Sequence, residues 1–150
     1  HVHTLRIHSR LPVVLPQRVD GDLLAWLERL PLRSVLVLHS NHPAEIGGEV
    51  DDALAALAEA GVTLLNQTVL LRGVNDDAGT LIALSERLHR TGVLPYYLHL
   101  LDRVQGAAHF DVPETRGVAL IAALRGRLPG YLVPRLVREI PGAEGKTLIT

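Results

Sequence analysis

Short β-prone runs recur about every 30 residues along this 150-residue chain, each followed by a helical pattern. That interval is the size of one βα unit, and the repetition constrains the fold more than any other feature. Val35-Leu36-Val37-Leu38, Val62-Thr63-Leu64-Leu65 and Leu94 to Leu100 read as strands, with Pro95 near the start of the third. Leu132 to Val137 is a weaker strand because Pro134 interrupts it, and His1 to His8 reads as a first one. Helices are expected over Asp20–Leu30, Glu45–Ala60, Asp77–Arg90 and Pro113–Leu128. Each carries apolar residues at helical spacing. Gly61 and Gly92 follow the second and third, where a chain leaving a helix favours glycine. A βαβα order implies a parallel sheet covered by helices. An open doubly wound sheet and part of a (β/α) barrel both satisfy it, and a whole barrel needs about 250 residues.

Composition narrows the function classes. The 47% hydrophobic content suffices for a buried core, and 15 Lys and Arg nearly balance 16 Asp and Glu. A basic nucleic-acid footprint is therefore not indicated. No apolar run approaches the roughly 20 residues of a membrane span, and no secretory signal pattern opens the chain. Cysteine is absent, so these residues hold no disulfide and no thiolate-bound metal. A cytoplasmic location is the default expectation. The chain begins at His1 within what already reads as a strand, and a part of a longer protein is expected.

Parallel α/β folds place ligands at the carboxyl ends of their strands. Here those ends read His39-Ser40-Asn41-His42, Asn66-Gln67, Asp102-Arg103 and Glu139 through Lys146. His39 and His42, three apart, lack a third ligand at recognisable spacing, so no metal site is expected. Asp102 and Glu139 each end a strand and suit either a cationic ligand or a salt bridge to Arg103, Arg135 or Arg138. Gln67 suits a ligand contact or a buried amide that holds loop backbone. Lys146, in a glycine-flanked stretch, is the chain's only lysine. It reads as a solvated side chain or as an amine able to condense with a carbonyl. Arg6, His8 and Arg10 alternate and so share one face of the first strand, inward or outward. Tyr96 and Tyr97 are expected to pack on opposite faces, Trp26 to lie in the core or an interface, and Arg72 to Asp76 to form a turn.

Six collinear stretches together resemble the lysine 2,3-aminomutase family. They are Leu5 to Arg18 (LRIHSRLPVVLPQR), Asn41 to Ile46 (NHPAEI), Leu65 to Asp76 (LNQTVLLRGVND), Leu94 to His99 (LPYYLH), Leu101 to Phe110 (LDRVQGAAHF), and Gly130 to Pro134 with Pro141 to Thr147 (GYLVP, PGAEGKT). The resemblance implies an α/β fold, part of a radical S-adenosylmethionine (SAM) barrel with parallel strands and outer helices. This chain would be its C-terminal portion. It implies pyridoxal phosphate (PLP) on Lys146, SAM near His39 and Gln67, and L-lysine held through its ε-ammonium by Asp102 and Glu139. It also implies a 4Fe–4S cluster on a CxxxCxxC motif that this chain lacks, so the chain by itself is expected to be inactive. Glu139 stands where the family usually has Asp, and Ala143-Glu144 interrupts its glycine-rich loop. Both departures, with Val104 to Phe110, look like the branch that makes β-lysine for elongation factor P. A homo-oligomer is allowed. The alternative is an inactive truncated homologue, or a domain binding PLP or a partner without radical chemistry.

Overall fold

The computed structural model describes residues 2–102, 108–140, 142–143 and 145–150. Arg103 to Ala107, Pro141 and Glu144, which carry parts of two matched stretches, lie outside the described residues, as does His1. Five parallel strands pair in chain order: β1 (Thr4–His8), β2 (Arg33–His39), β3 (Thr63–Leu70), β4 (Val93–Leu100) and β5 (Arg135–Arg138). A sixth strand, β6 (Thr147–Leu148), returns antiparallel to β5. A doubly wound sheet reverses its strand order at a switch point. This sheet does not, and it curls as an open half-barrel with helices packed along one face.

The helices are a short α1 (Leu11–Val14), then α2 (Gly21–Arg29), α3 (Glu49–Glu59), α4 (Ala78–Arg90) and α5 (Glu114–Arg125). Their apolar stripes close two core clusters against the sheet. Leu36, Leu38 and Leu64 join Leu54, Leu57 and Leu88 in the first. Leu70, Leu98, Leu100 and Leu136 join Leu120, Ile121 and Leu124 in the second. Because strand side chains alternate, these leucines direct Val37, His39, Gln67, His99 and Val137 to the opposite, concave face. Gly117 lets α5 sit close: a Cβ there would stand 3.2 Å from both Leu100 and Leu136.

Several expectations need correction. The helix expected over Glu45–Ala60 begins at Glu49, after a 3-10 turn over Pro43–Glu45. Gly48 breaks the run with φ 54°, a conformation glycine accepts without strain. The sequence spacing puts the α5 stripe at Val118, Ile121, Ala122 and Leu124, but the buried residues are Gly117, Leu120, Ile121 and Leu124, with Val118 only partly buried. Of the two places expected for Trp26, the core is excluded by its 44% exposure. Tyr96 and Tyr97 do not oppose each other, because the register of β4 against β3 slips between Asn66 and Gln67 and Tyr96 is the extra residue of a bulge. Their rings lie 3.9 Å apart between centroids, with the Tyr97 hydroxyl donating to that of Tyr96 at 3.1 Å.

Candidate functional site

Buried asparagines fix the loops after β2 and β3. Asn66 Oδ1 accepts from the Ser40 backbone N–H at 2.9 Å, and its amide donates to Ser40 O and Thr68 Oγ1 at 3.0 and 2.9 Å. Asn41 Oδ1 accepts from Val69 N–H at 2.9 Å. Asn75, fully buried, accepts from Leu71 N–H and donates to Asn41 O and Val69 O. The loop of Asn41 to Ile46 folds onto Glu45, whose Oε1 accepts from the backbone N–H groups of Asn41 and His42 while Arg10 pairs with Oε2 at 2.7 Å. Two of the six resembling stretches therefore encode loop architecture, and the Arg72–Asp76 turn forms as expected.

Polar residues collect on the concave face and at the carboxyl ends of the strands. The β5–β6 hairpin brings Lys146 beside Glu139, and Lys146 Nζ pairs with Glu139 Oε1. The same ammonium lies 5.6 Å from the centroid of the Tyr97 ring. His99 meets that ring edge-on at 5.7 Å. Arg6 stands over Tyr96 at 5.8 Å, which turns the first strand's alternating face inward. The Gln67 amide nitrogen contacts His39 Nε2. Asp102 and Glu139 line one cleft of ≈ 730 Å³. The fold thus joins Lys146 with Glu139 and His39 with Gln67, and sets Asp102 and Glu139 along one cleft that Glu114 and Arg138 also line. No group of three metal-ligating side chains occurs among the described residues, and His42 instead caps the Pro43–Glu45 turn, its Nδ1 accepting from Ala44 N–H.

Electrostatics bind these groups into one site. Burial, reinforced by Arg6 and Lys146, holds His8 below its ordinary pKa. Burial, then His8, Arg10 and Lys146, does the same to His39. Burial and Lys146 also lower His99, against the opposing carboxylates of Glu139 and Asp102. The hydrogen bond and charge of Lys146 pull Glu139 below the usual carboxylate range. Of the cations around these imidazoles, Arg10 is paired with Glu45 and Lys146 with Glu139, while Arg6 lies over the Tyr96 ring. Sequence reasoning missed His99 and the role of the tyrosines. Their signal was the alternation of Tyr97 and His99 along one strand face.

A pH dependence follows. The three imidazoles resist protonation in the folded chain, whereas in the unfolded chain they titrate near 6.5. As pH falls through 6.5 the unfolded state takes up protons that the folded state refuses, so stability falls. Glu139 adds nothing to that change, since its lowered pKa acts only below 4.5. Thermal melts at pH 7.5 and 5.5 should show a lower midpoint at the acid value, with a smaller drop in His39→Gln. Equal drops in both proteins would refute it.

No protein-family model matches the chain. Curated proteins do. L-lysine 2,3-aminomutase of Haemophilus influenzae is 51% identical over 148 residues, 99% of this chain and 44% of that protein. Its namesake in Escherichia coli is 50% identical over 147 residues, 98% and 43%. That of Clostridium subterminale is 45% identical over 148 residues, 98% and 35%. The chain spans less than half the length of the curated relatives it matches. Its collinear motifs and this near-complete coverage place the chain in the lysine 2,3-aminomutase family, as a portion of such a protein.

Proposed function

We propose that this chain is the cofactor- and substrate-holding portion of an L-lysine 2,3-aminomutase, an isomerase that moves the α-amino group of L-lysine to the β-carbon. The observation that supports this best is the placement of the chain's single lysine, at the carboxyl ends of parallel strands, over an aromatic ring and beside a carboxylate. PLP fits these residues: Lys146 offers the amine, and Arg6 on the concave face offers a cation to the phosphate. When bound, PLP supplies an electron sink for a migrating nitrogen. Lys146 would hold it, Tyr97 backs the lysine, and Glu139 orients the amine. Asp102 and Glu139 line the cleft in which an alkylammonium ion would find carboxylate partners. His39 and Gln67 are proposed to contact SAM, Gln67 Oε1 being buried without a partner among the described residues.

The radical-generating 4Fe–4S cluster needs thiolates that these residues do not contain, so the rest of a radical SAM barrel would supply them. Glu139 and the interrupted glycine loop support the branch that supplies β-lysine to the elongation factor P pathway, in the cytoplasm. The absence of cysteine is also what favours the second reading, a domain that binds PLP or a partner without radical chemistry. β-Lysine formation by the protein as its gene encodes it, with SAM and reductant, separates the two. There, Asp102→Ala should raise the KM for L-lysine about thirtyfold, or ~2 kcal/mol, the low end for a desolvated charge pair losing one member. An unchanged KM removes Asp102 from the substrate site.

A further inference from the structure

His99 sits at the centre of the concave face with a polar atom unused. It pairs in register with Val69 on one side and Val137 on the other. Leu98 and Leu100 are anchored in the helix-side core, so the imidazole is fixed on the opposite face. Its Nε2 is buried and has no hydrogen-bond partner among the described residues. Buried polar atoms are nearly always paired, and an orphan inside a polar cluster calls for a partner from a ligand. The His99 ring and Lys146 Nζ both lie against Tyr97, 5.7 and 5.6 Å from its centroid, and the Lys146 charge acts on His99, so a molecule joined to Lys146 is within reach of the imidazole.

We propose that His99 is a ligand-contacting residue whose Nε2 hydrogen-bonds the polar substituent next to the carbonyl carbon of the aromatic aldehyde held by Lys146. For pyridoxal phosphate that substituent is the ring hydroxyl oxygen. The attachment itself is balanced without His99: the Lys146 ammonium and the aldehyde give a protonated carbon–nitrogen double bond and one water. His99 instead selects a hydroxyaldehyde over a plain one. Burial and the neighbouring Lys146 keep the ring uncharged, while Glu139 and Asp102 face it from the rim, so it recognises the oxygen as a neutral hydrogen-bonding group. This inference rests on Lys146 being the attachment point.

The test compares pyridoxal phosphate with its 3-deoxy analogue, titrated by absorbance into the protein as its gene encodes it. Wild type should prefer pyridoxal phosphate by about five- to tenfold, the worth of one uncharged hydrogen bond. His99→Phe, which keeps a ring against Tyr97, should lose the preference, and His99→Gln should recover part of it. Equal affinities in wild type, or an unchanged preference in His99→Phe, overturns the proposal. If His99→Phe does not fold, imidazole ¹⁵N signals of wild type decide: loading with pyridoxal phosphate must shift His99, and an unmoved His99 signal in the loaded protein overturns it. Borohydride labelling away from Lys146 would instead sink the attachment reading, so the two failures are told apart.

Discussion

Asn75→Ala should lower the free energy of unfolding by about 3–5 kcal/mol, because a buried hydrogen-bonding group left without its partner costs roughly 1–3 kcal/mol and this change orphans several at once. Asn75 has no exposed surface. Without its side chain Leu71 N–H loses its acceptor, and the carbonyls of Asn41 and Val69 lose their donor. The damage spreads because Asn41 itself ties the β2 loop to Val69. Asn75→Asp is a sharp control. It keeps the acceptor for Leu71 N–H but removes both donations and buries a charge, so it should be no more stable than the alanine variant. Urea unfolding checks both. A loss under about 1 kcal/mol in Asn75→Ala would mean that the loops are held by something other than this side chain.

The strands and helices were legible where periodicity was strong. The stripes of α3 and α4 are buried as expected at Val50, Leu54, Leu57, Leu81, Leu84 and Leu88. Gly61 and Gly92 both take positive φ, 79° in each. The Tyr96 bulge was not legible, because a register slip depends on the neighbouring strand and not on local pattern. The Glu45–Gly48 break was hidden by an apolar spacing that runs on through it, while Gly48 and the backbone bonds to Glu45 decide the helix start. β6 has only two residues and exists through its pairing with Val137 and Arg138. That hairpin is what sets Lys146 against Glu139, so sequence named both residues and only the fold shows them together. His99 went unread for a related reason: a histidine inside an apolar strand reveals its unpaired nitrogen only once its neighbours are in place.

Lys146→Ala should abolish attachment of pyridoxal phosphate and drop turnover below detection in the protein as its gene encodes it. No second lysine in this chain can replace it, and arginine stays protonated and so makes a poor nucleophile towards a carbonyl. The effect exceeds that of a lost contact because the amine is a bond-forming group. Lys146→Arg, which preserves charge and the pairing with Glu139, should be equally inactive. Substantial turnover in Lys146→Arg would reduce Lys146 to a charge partner of Glu139.

Borohydride reduction of the pyridoxal phosphate-loaded protein, followed by peptide mapping, locates the attachment point of the cofactor. The pyridoxyl group is expected on the peptide that contains Lys146, with no label in Lys146→Ala. A pyridoxyl group on any other lysine of the protein, with Lys146 unmodified, would contradict it.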